Sequence, residues 1–225
     1  MISKKRSRRT KLFAVIGLGR FGSSLARTLY SMGYEVLAVD LNEDRVQEMA
    51  KFVTHSVQAD GTDENAMRSM GIRNVDVAIV SIGILQPSIL TTVIMKELSV
   101  KYIVAKAVSE VHGKVLEKLG ADRVVYPERD MGNRVAHNLM SGNLIDYIEL
   151  APNYAIVEVI AKEAFTGKTL KEIDLRAKYG INVIAVKRGN KIDVVPGADF
   201  IIKSKDILVA MGADDKLEQI EEKVF

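Results

Sequence analysis

The stretch Phe13-Ala14-Val15-Ile16-Gly17-Leu18-Gly19-Arg20-Phe21-Gly22 decides the fold. Its first four residues are apolar and partly β-branched, which predicts a strand buried on both faces. The glycines at positions 17, 19 and 22 then have the spacing of the G-x-G-x-x-G fingerprint, and apolar residues at helical spacing continue to Leu29. This strand–loop–helix order predicts that Gly17 makes a tight turn, Gly19 admits a pyrophosphate and Gly22 lets helix and strand pack closely.

An acidic residue strengthens the prediction of a nucleotide site. Asp40 ends the next predicted strand, Glu35–Asp40, and follows Gly22 by eighteen residues. A carboxylate there can accept hydrogen bonds from both ribose hydroxyls of an adenosine and would repel a 2′-phosphate. The phosphates are expected on the free amides at the start of the helix, where the helix dipole favours negative charge. A purely structural glycine turn in an α/β fold without a ligand is the alternative.

The composition excludes several classes of protein. The chain has 225 residues, of which 48% are hydrophobic and 27% charged, as in ordinary globular proteins. No apolar run approaches the roughly 20 residues that a membrane-spanning helix needs, and no signal-peptide pattern is present. The chain has no cysteine, which excludes disulfides, thiolate metal sites and thiol nucleophiles and is consistent with a reducing cytoplasm.

The first eleven residues form a basic tail. They contain six cations and no acidic residue, so removing them from the net charge of +3 leaves −3 for the remainder. The cations are Lys4, Lys5, Arg6, Arg8, Arg9 and Lys11. Such a run predicts either a disordered, solvated terminus or attraction to anionic lipid headgroups or to an acidic partner surface. Because the chain has no recognition-helix pattern and only 6% aromatic residues, we expect no nucleic-acid partner.

Strands and helices alternate from residue 12 to residue 142, the range predicted for the first domain. Six strands are predicted, at Phe13–Ile16, Glu35–Asp40, His55–Ala59, Val75–Ile82, Tyr102–Val108 and Arg123–Tyr126. Helices separate them, including one that Asn42 caps and one that Pro87 opens, and a further helix runs from Arg129 to Met140. This alternation predicts a Rossmann-type, doubly wound parallel sheet, because each crossover helix has to cover a face of the sheet.

The pattern changes after Ser141-Gly142-Asn143, which is a predicted hinge. Strands are predicted at 153–161, 181–188, 191–195 and 206–211, and helices at 170–179 and 214–223. This mixture predicts a small α+β domain over residues 143–225. The domain has no second G-x-G-x-x-G and is too small for the substrate pocket of a usual dehydrogenase.

Two short motifs suggest chemistry that their context excludes. Thr166-Gly167-Lys168-Thr169 ends like a phosphate-binding P-loop, but Lys162 stands where the first glycine is required. Tyr102 and Lys106 have the spacing of the catalytic pair of short-chain dehydrogenases, which needs a helix. On the predicted strand, four residues separate these side chains by about 13 Å. The sequence therefore shows a nucleotide site without catalytic groups, a combination that suggests a sensor.

Three side chains near the predicted crevice have alternative roles. Lys106 ends a strand at the edge where doubly wound sheets hold ligands, so it can reach a bound phosphate. Arg20 lies in the glycine loop and either contacts a terminal phosphate, which favours ATP or ADP, or points into solvent. His112 lies just beyond the ligand edge, or it is a surface histidine like His55 and His137.

Four blocks of sequence resemble a known family. They are V-I-G-L-G-R-F-G with V-D, A-D-G-T-D-E, L-E-K-L-G-A-D-R-V-V-Y-P-E-R-D-M-G and L-R-A-K-Y-G-I-N-V-I-A-V-K-R-G. From about Lys11 onward the chain resembles the KtrA/KtrC type of the TrkA family. Members of that family are RCK (regulator of potassium conductance) subunits of bacterial potassium transport systems. The later blocks are much more specific than the glycine fingerprint.

The resemblance implies a cytoplasmic, non-enzymatic regulator that is peripheral at the inner face of the cell membrane. Its N-terminal RCK domain would bind ATP, ADP or NAD(H), and a C-terminal RCK domain would follow. Homodimers would assemble into a homo-octameric ring under an integral membrane potassium-transporting subunit of the KtrB/KtrD kind. ATP would favour the active ring and ADP the inactive one, which requires that each nucleotide bind the two ring shapes with different affinity.

The resemblance also implies which residues contact the nucleotide. They lie in the glycine loop and in the segments that follow the parallel strands. The expected contacts are Gly17, Gly19, Arg20, Phe21, Gly22, Asp40, Leu41, Asn42, Asp60, Gly61, Ile82, Gly83, Ile84, Lys106, Ala107, Val108, His112 and Glu128. Arg20 would sense the γ-phosphate, and Glu128 would help to hold Mg²⁺ or Ca²⁺, for which a carboxylate is a suitable ligand.

A site for cyclic di-AMP is implied in the C-terminal domain, where this ligand would inhibit transport. Arg176 and Asn182 match that pattern, and Val183 and Pro196 would line the site. The chain departs from the family pattern in a shorter turn after Gly83 and in the basic tail. An NAD-dependent oxidoreductase is the alternative function, and a redox-sensing repressor is a third hypothesis that the absent recognition helix disfavours.

Overall fold

The chain folds as two compact units. The computed structural model describes residues 11–140 and 144–223. Its contacts define one unit that ends at Glu128 and a second that begins at Arg129, ahead of the predicted boundary after residue 142. Most of the basic tail and the predicted hinge at residues 141–143 lie outside the described residues.

The first unit contains six strands and the helices that connect them. The strands are β1 (Leu12–Ile16), β2 (Glu35–Asp40), β3 (His55–Gln58), β4 (Val77–Val80), β5 (Ile103–Lys106) and β6 (Arg123–Val125). The helices are α1 (Arg20–Ser31), α2 (Glu43–Met49), α3 (Glu64–Ser69), α4 (Leu85–Glu97) and α5 (Glu110–Lys118), and α6 (Pro127–Met140) leads out of the unit. The predicted alternation is confirmed.

The sheet is fully parallel, with the strand order β3-β2-β1-β4-β5-β6. The order reverses between β1 and β4, which are direct neighbours with Ile16 opposite Val80. In open parallel sheets a ligand crevice forms outside the carboxyl ends of the strands at such a reversal. The topology therefore places the crevice beside the glycine loop, and the Rossmann-type prediction is confirmed.

Two apolar cores cover the faces of this sheet. Alternate residues of β1 enter different cores, as the strand period of two requires. Ala14 and Ile16 pack with Met67 and Met95 on one side, whereas Val15 packs with Ala26 of α1 on the other. All six side chains are at most 1% exposed, so β1 is buried on both faces as predicted.

The second unit is built on an antiparallel sheet. Its elements are β7 (Leu144–Ala151), β8 (Tyr154–Ile160), α7 (Leu170–Ile173), α8 (Leu175–Tyr179), β9 (Asn182–Arg188), β10 (Lys191–Val194), β11 (Ile207–Ala213) and α9 (Asp214–Lys223). The strand order is β10-β9-β11-β8-β7, and every neighbouring pair is antiparallel. This arrangement confirms the predicted α+β class.

Three elements differ from the sequence prediction. Strand β7 was not expected, because its mixed pattern becomes a strand only by pairing with β8 across a turn at Asn153, whose φ is +67°. The predicted helix 170–179 is two helices, because Asp174 adopts φ +51° and its carboxylate accepts the Ala177 amide at 3.3 Å. Helix α4 begins at Leu85, so Pro87 lies in its first turn, where no helical N–H is needed.

An ion pair between a partly exposed arginine and a buried aspartate links β9 to the loop before β11 in the second unit. The carboxylate of Asp206 is fully buried and accepts hydrogen bonds from Arg188 Nε at 2.7 Å and Nη2 at 2.6 Å, and from the Lys203 amide at 2.8 Å. Burial alone would raise the pKa of Asp206, but the Arg188 guanidinium and the Lys203 amide outweigh burial and lower it. The pair therefore favours the folded state at neutral pH.

We predict that Asp206→Asn lowers the free energy of unfolding by about 2–3 kcal/mol at neutral pH, because Arg188 loses its charged acceptor. The difference from wild type should begin to shrink as the pH falls below the ordinary aspartate value of 3.8 and vanish only below the still lower pKa of folded Asp206, because protonation in the folded state removes the stabilising effect. Urea unfolding at several pH values tests this, with exposed Asp199→Asn as the control. An equal loss in both variants at neutral pH would contradict the role of the pair.

Candidate nucleotide-binding site

The glycine loop is closely packed against the end of β4. Gly17 has φ +97°, and a Cβ there would lie 3.0–3.1 Å from the backbone of Ser81 and Ile82. A Cβ on Gly22 would lie 1.9 Å from the Gly17 carbonyl oxygen and 2.6 Å from Ser81 Oγ. Ser81 Oγ donates to that same carbonyl at 3.0 Å. Gly17 and Gly22 thus have the roles that the fingerprint predicts, the turn and the close packing.

Gly19 differs from its two neighbours in the motif. A Cβ at this position would meet nothing within 4 Å, so the loop is open to its surroundings there. Gly19 is also the N-cap of α1, and no side chain caps this helix end. The unpaired amides of the first turn are therefore available beside the one open glycine of the motif, as a bound pyrophosphate requires.

The helix starts beside the crevice differ from the others in the first unit in having no side-chain cap. Asn42, Asp63 and Ser109 accept first-turn amides at the starts of α2, α3 and α5. The helices that follow β1 and β4, namely α1 and α4, have no side-chain cap at Gly19 or Ile84 and no acidic residue in the first turn. Both uncapped helix ends lie at the strand-order reversal. Their dipoles make this place favourable for an anion.

Asp40 supports the loop from the adjacent strand. Its side chain is 8% exposed. One carboxylate oxygen accepts the Leu18 amide at 2.5 Å and lies 3.5 Å from Arg45 Nη1, and the other accepts the Asn42 amide at 2.8 Å. The carboxylate therefore positions the glycine loop, a role that the sequence reasoning missed. Its contact with a ribose stays a prediction, since a carboxylate offers about four acceptor sites.

The turn after β3 is also held by its own contacts. Asp60 Oδ1 accepts hydrogen bonds from the Thr62 amide at 2.8 Å and the Thr62 hydroxyl at 2.7 Å. The hydrogen bond from the Thr62 amide, and to a smaller extent the one from its hydroxyl, lowers the pKa of Asp60. Gly61 is buried, and a Cβ there would lie 2.8 Å from Ile16 and 3.1 Å from Thr91 Oγ1. Gly61 thus permits close packing under the crevice.

Exposed apolar side chains follow three of the parallel strands. Leu41 is 66% exposed after β2, Ile84 is 68% exposed after β4, and Val108 is 53% exposed after β5. Gly83 has open space where a Cβ would lie, and Ile82 packs partly into the core. Because the carboxyl ends of parallel strands share one edge, the exposed side chains provide apolar surface suitable for a nucleotide base.

Lys106 and Glu128 form an ion pair at the same edge. The Lys106 side chain is 12% exposed, and its ammonium donates to the carboxylate of Glu128, which is 67% exposed. This hydrogen bond lowers the pKa of Glu128. Lys106, the predicted phosphate contact, is therefore paired with Glu128, the predicted metal ligand, in this structure.

His112 is a core residue, so its interpretation as a surface histidine is wrong. It is 1% exposed, its Nδ1 accepts the Val108 amide at 3.3 Å, and its Nε2 has no partner among the described residues. Burial lowers the pKa of His112 and favours the neutral ring. The buried Ala107 lies next to that loop. Both side chains are buried and His112 supports the backbone at Val108, while the contact of either residue with a nucleotide stays a prediction.

The other predicted contacts lie where a ligand can reach them. Arg20 is exposed at the start of α1 and forms no ion pair within residues 11–140 and 144–223. Phe21 is half-buried beside it. His55 is exposed, as expected of a surface histidine, and the side chain of His137 lies outside the described residues.

The motifs rejected from the sequence have structural roles. Thr169 is the N-cap of α7, where its hydroxyl accepts the Glu172 amide at 3.2 Å, and Glu172 accepts the Thr169 amide in return at 2.7 Å. Tyr102 precedes β5 and Lys106 ends it, so the two lie on an extended segment. Neither motif forms a catalytic pair.

The residues predicted to contact cyclic di-AMP lie on α8, at the start of β9 and just after β10 in the second unit. Arg176 is exposed on α8, and Asn182 and Val183 are half-buried at the start of β9. Pro196 follows Val195, whose amide donates to the Ile184 carbonyl at 2.9 Å. Pro196 is therefore next to the start of β9 across the hairpin.

Residues 11–140 and 144–223 contain neither clustered metal ligands nor a membrane-spanning helix. No group of three or more His, Cys, Asp or Glu side chains in this part of the chain could hold a metal ion. No helix within the same ranges is long and apolar enough to cross a bilayer.

The Rossmann-type unit with an open glycine loop and the small antiparallel unit that follows it match the two-domain arrangement expected of an RCK protein. Comparison with known families agrees. The TrkA-N domain matches residues 13–127, and the TrkA-C domain matches residues 154–224. The chain belongs to the TrkA family and is similar to Ktr system potassium uptake proteins.

Two relatives come from Bacillus subtilis (strain 168). The chain is 48% identical over 216 residues to Ktr system potassium uptake protein C, which covers 96% of this chain and 98% of the relative. It is 45% identical over 214 residues to Ktr system potassium uptake protein A, which covers 95% and 96%.

Solved structures share the fold at lower identity. The GsuK RCK domain superposes with a TM-score of 0.67 at 22% identity, and the GsuK channel bound to NAD with 0.66 at 21%. Both alignments cover 96% of this chain, but only 48% and 39% of those longer chains. The chain thus spans about half or less of these structural neighbours.

We predict that Gly22→Ala destabilises the first unit by about 3 kcal/mol or more and abolishes nucleotide binding, because its Cβ would overlap the Gly17 carbonyl. Gly19→Ala is the matched control: it has space for a Cβ and should unfold like wild type while binding nucleotide more weakly. Thermal unfolding and calorimetric titration with ADP test both variants. Normal folding of Gly22→Ala, or undiminished binding by Gly19→Ala, would contradict this account of the loop.

Proposed function

We propose that the chain is a nucleotide-responsive regulatory subunit of a potassium-transporting membrane protein. The observation that supports this most directly is the pair of uncapped helix starts, at Gly19 and Ile84, on either side of the strand-order reversal. They offer free amides and positive dipole ends to an anion, and the glycine loop between them is open at one position. Because the chain is similar to Ktr system potassium uptake proteins, we infer that the nucleotide bound at this site regulates potassium uptake.

The ligand is a nucleotide of the adenosine type, namely ATP, ADP or NAD(H). Leu41, Ile84 and Val108 provide apolar surface for the base, and Asp40 lies where a ribose is expected. Arg20 is an exposed guanidinium at the loop and contacts the terminal phosphate in this proposal, a group that ATP has and NAD lacks. The RCK fold also occurs in the NAD-bound GsuK channel, which is consistent with a dinucleotide in the same crevice.

A divalent cation fits this site only as a companion of the nucleotide. Glu128 is the one predicted metal ligand, and its carboxylate is largely exposed. Mg²⁺ is commonly held by one or two carboxylates together with phosphates and waters. Glu128 could therefore contribute one oxygen, once Lys106 has released it, to Mg²⁺ or Ca²⁺ bound by the phosphates.

The assembly that we propose follows the family. Homodimers form a homo-octameric ring under a KtrB/KtrD-like membrane subunit, at the inner face of the cell membrane. ATP and ADP bind two ring shapes with different affinity and thereby shift their populations. Cyclic di-AMP binds the second unit near Arg176, Asn182, Val183 and Pro196 and favours the inactive ring. The chain has no enzymatic activity in this scheme.

We expect a particle of eight chains of 24.8 kDa whose scattering profile differs between ATP and ADP. Arg20→Ala should make the ATP profile resemble the ADP profile and weaken ATP binding about tenfold, with NAD affinity little changed, because only ATP presents a terminal phosphate. Arg73→Ala, an exposed arginine at the other end of the strands, is the control. Small-angle scattering and calorimetry measure these effects, and one unchanged profile in both nucleotides would contradict the proposed switch.

A second prediction concerns the Lys106–Glu128 pair. In the absence of divalent cations, Glu128→Gln should tighten ADP binding about fivefold, because Lys106 no longer has a competing carboxylate and is free for the phosphates. With Mg²⁺ present this gain should vanish, since the variant also lacks a cation ligand. Glu117→Gln, an exposed carboxylate on α5, is the control. Titrations with and without chelator test this, and weaker binding of Glu128→Gln in chelator would refute the competition.

A further inference from the structure

A buried histidine supports the loop between β5 and α5. The side chain of His112 is 1% exposed, and its Nε2 is buried without a hydrogen-bond partner among the described residues. Its Nδ1 accepts the Val108 amide at 3.3 Å. A ring nitrogen that accepts a hydrogen bond carries no proton, so the contact with Val108 requires the neutral ring with its proton on Nε2.

The backbone and the ring of His112 hold the same short segment. Its backbone amide donates to Oγ of Ser109, the N-cap of α5, at 3.2 Å, and its ring accepts the amide of Val108. Val108 lies between the end of β5 and this cap, and its own side chain is 53% exposed. A buried ring therefore positions the backbone of an exposed residue at the edge of the crevice.

A second proton on the ring is incompatible with this contact. It would occupy Nδ1 and point at the Val108 N–H, so that two donors would face each other. It would also create a positive charge on a side chain that is almost fully buried, and burial lowers the pKa of His112 below its ordinary value of 6.5. Protonation therefore requires that the Val108 segment move away or that the ring reach water.

Two strands pack against α5 and bring ionisable groups toward it. Strand β5 ends with Lys106, whose ammonium is paired with the largely exposed Glu128. Strand β6 begins with Arg123, which is exposed, and Tyr126 follows the strand. A Cβ on Gly113 would lie 1.8 Å from the hydroxyl oxygen of Tyr126. Tyr126 thus contacts α5 through its phenol.

The charges of α4 and of α5 itself lie at a helix end or at the surface. Helix α4 also packs against α5, and its charged residues, Lys96 and Glu97, end the helix. No carboxylate of the described residues offsets the effect of burial on the pKa of His112. A protonated ring would therefore be an uncompensated buried charge. The ionisable residues of α5 besides His112 are all exposed, namely Glu110, Lys114, Glu117 and Lys118.

We propose that the His112–Val108 hydrogen bond makes the nucleotide site sensitive to acid. The neutral ring holds Val108 where a ligand meets it, and the protonated ring releases this segment. The inference rests on the proposed function, because Val108 concerns a ligand only when the crevice binds a nucleotide.

The direction of the effect follows from linkage. Because the pKa of His112 is lower in the closed segment than in a ring exposed to water, opening takes up a proton and acid favours the open segment. Nucleotide affinity should thus be constant above about pH 6.5 and fall once the pH reaches the lowered pKa of the folded ring. The limit is about tenfold for each further pH unit, when only the neutral form binds.

Calorimetric titration of the full chain with NAD between about pH 5 and pH 8 tests the proposal. NAD is the suitable probe because its pyrophosphate has no titrating group in this range, whereas the terminal phosphate of ADP or ATP titrates near about pH 6. Wild type should bind NAD about tenfold more weakly at the acid end. Circular dichroism of the same samples separates this loss from unfolding of the chain.

The most informative variant is His112→Asn. The amide oxygen of asparagine stands where Nδ1 stands in histidine, so it can accept the Val108 amide but takes up no proton. The variant should bind NAD within about threefold of wild type at neutral pH and lose little affinity in acid. His55→Asn, which changes an exposed histidine of β3, is the matched control and should keep the acid loss of wild type.

Amide hydrogen exchange of wild type without ligand gives a second, independent measurement. Protection of the Val108 amide, relative to an unfolded chain, should fall in acid, whereas protection within β5 should stay. Constant protection of Val108, NAD affinity that does not change with pH, or an equal acid loss in His112→Asn and wild type would overturn the proposal. Absence of NAD binding at neutral pH would instead refute the proposed function, and exchange at Val108 would still decide on the acid-sensitive contact.

Discussion

The rest of the first unit depends on the contact of Gly22 with the Gly17 carbonyl. No side chain can enter there, because a Cβ would lie 1.9 Å from the oxygen, and Ser81 donates a hydrogen bond to the same carbonyl from the end of β4. This contact places the start of α1 against the junction of β1 and β4. The open face at Gly19 and the direction of the helix dipole toward the strand-order reversal follow from that placement.

Helix capping distinguishes the crevice from the other loops at the same edge. Helices α2, α3 and α5 satisfy first-turn amides with their own side chains, whereas the helices after β1 and β4 leave theirs for another acceptor. Asp40 completes the arrangement because its carboxylate holds the Leu18 amide and fixes the loop before any ligand arrives. The site is thus pre-organised for an anion, and it contains two alternative partners for the Lys106 ammonium, the Glu128 carboxylate and a phosphate.

The sequence predicted the parallel sheet, the two-domain organisation and the roles of Gly17 and Gly22, because glycine spacing and strand–helix alternation are local signals. It did not predict that Asp40 supports the loop or that His112 is buried, since both depend on contacts between distant segments. Strand β7 was missed for the same reason, although Pro152-Asn153 is a turn signal that could have indicated the hairpin. The break at Asp174 could not be read from helical periodicity, because a left-handed residue that caps the following helix leaves the apolar spacing intact.

Amide hydrogen exchange with and without ADP tests the central claim most directly, because it reports on the backbone groups that the crevice offers. The account predicts that bound ADP slows exchange at residues 18–23, in the glycine loop and first turn of α1, and at residues 83–86, at the start of α4. The capped first turns of α2 and α3 should change little. Unchanged exchange at both uncapped helix starts under saturating ADP would contradict the assignment of this crevice as the nucleotide site.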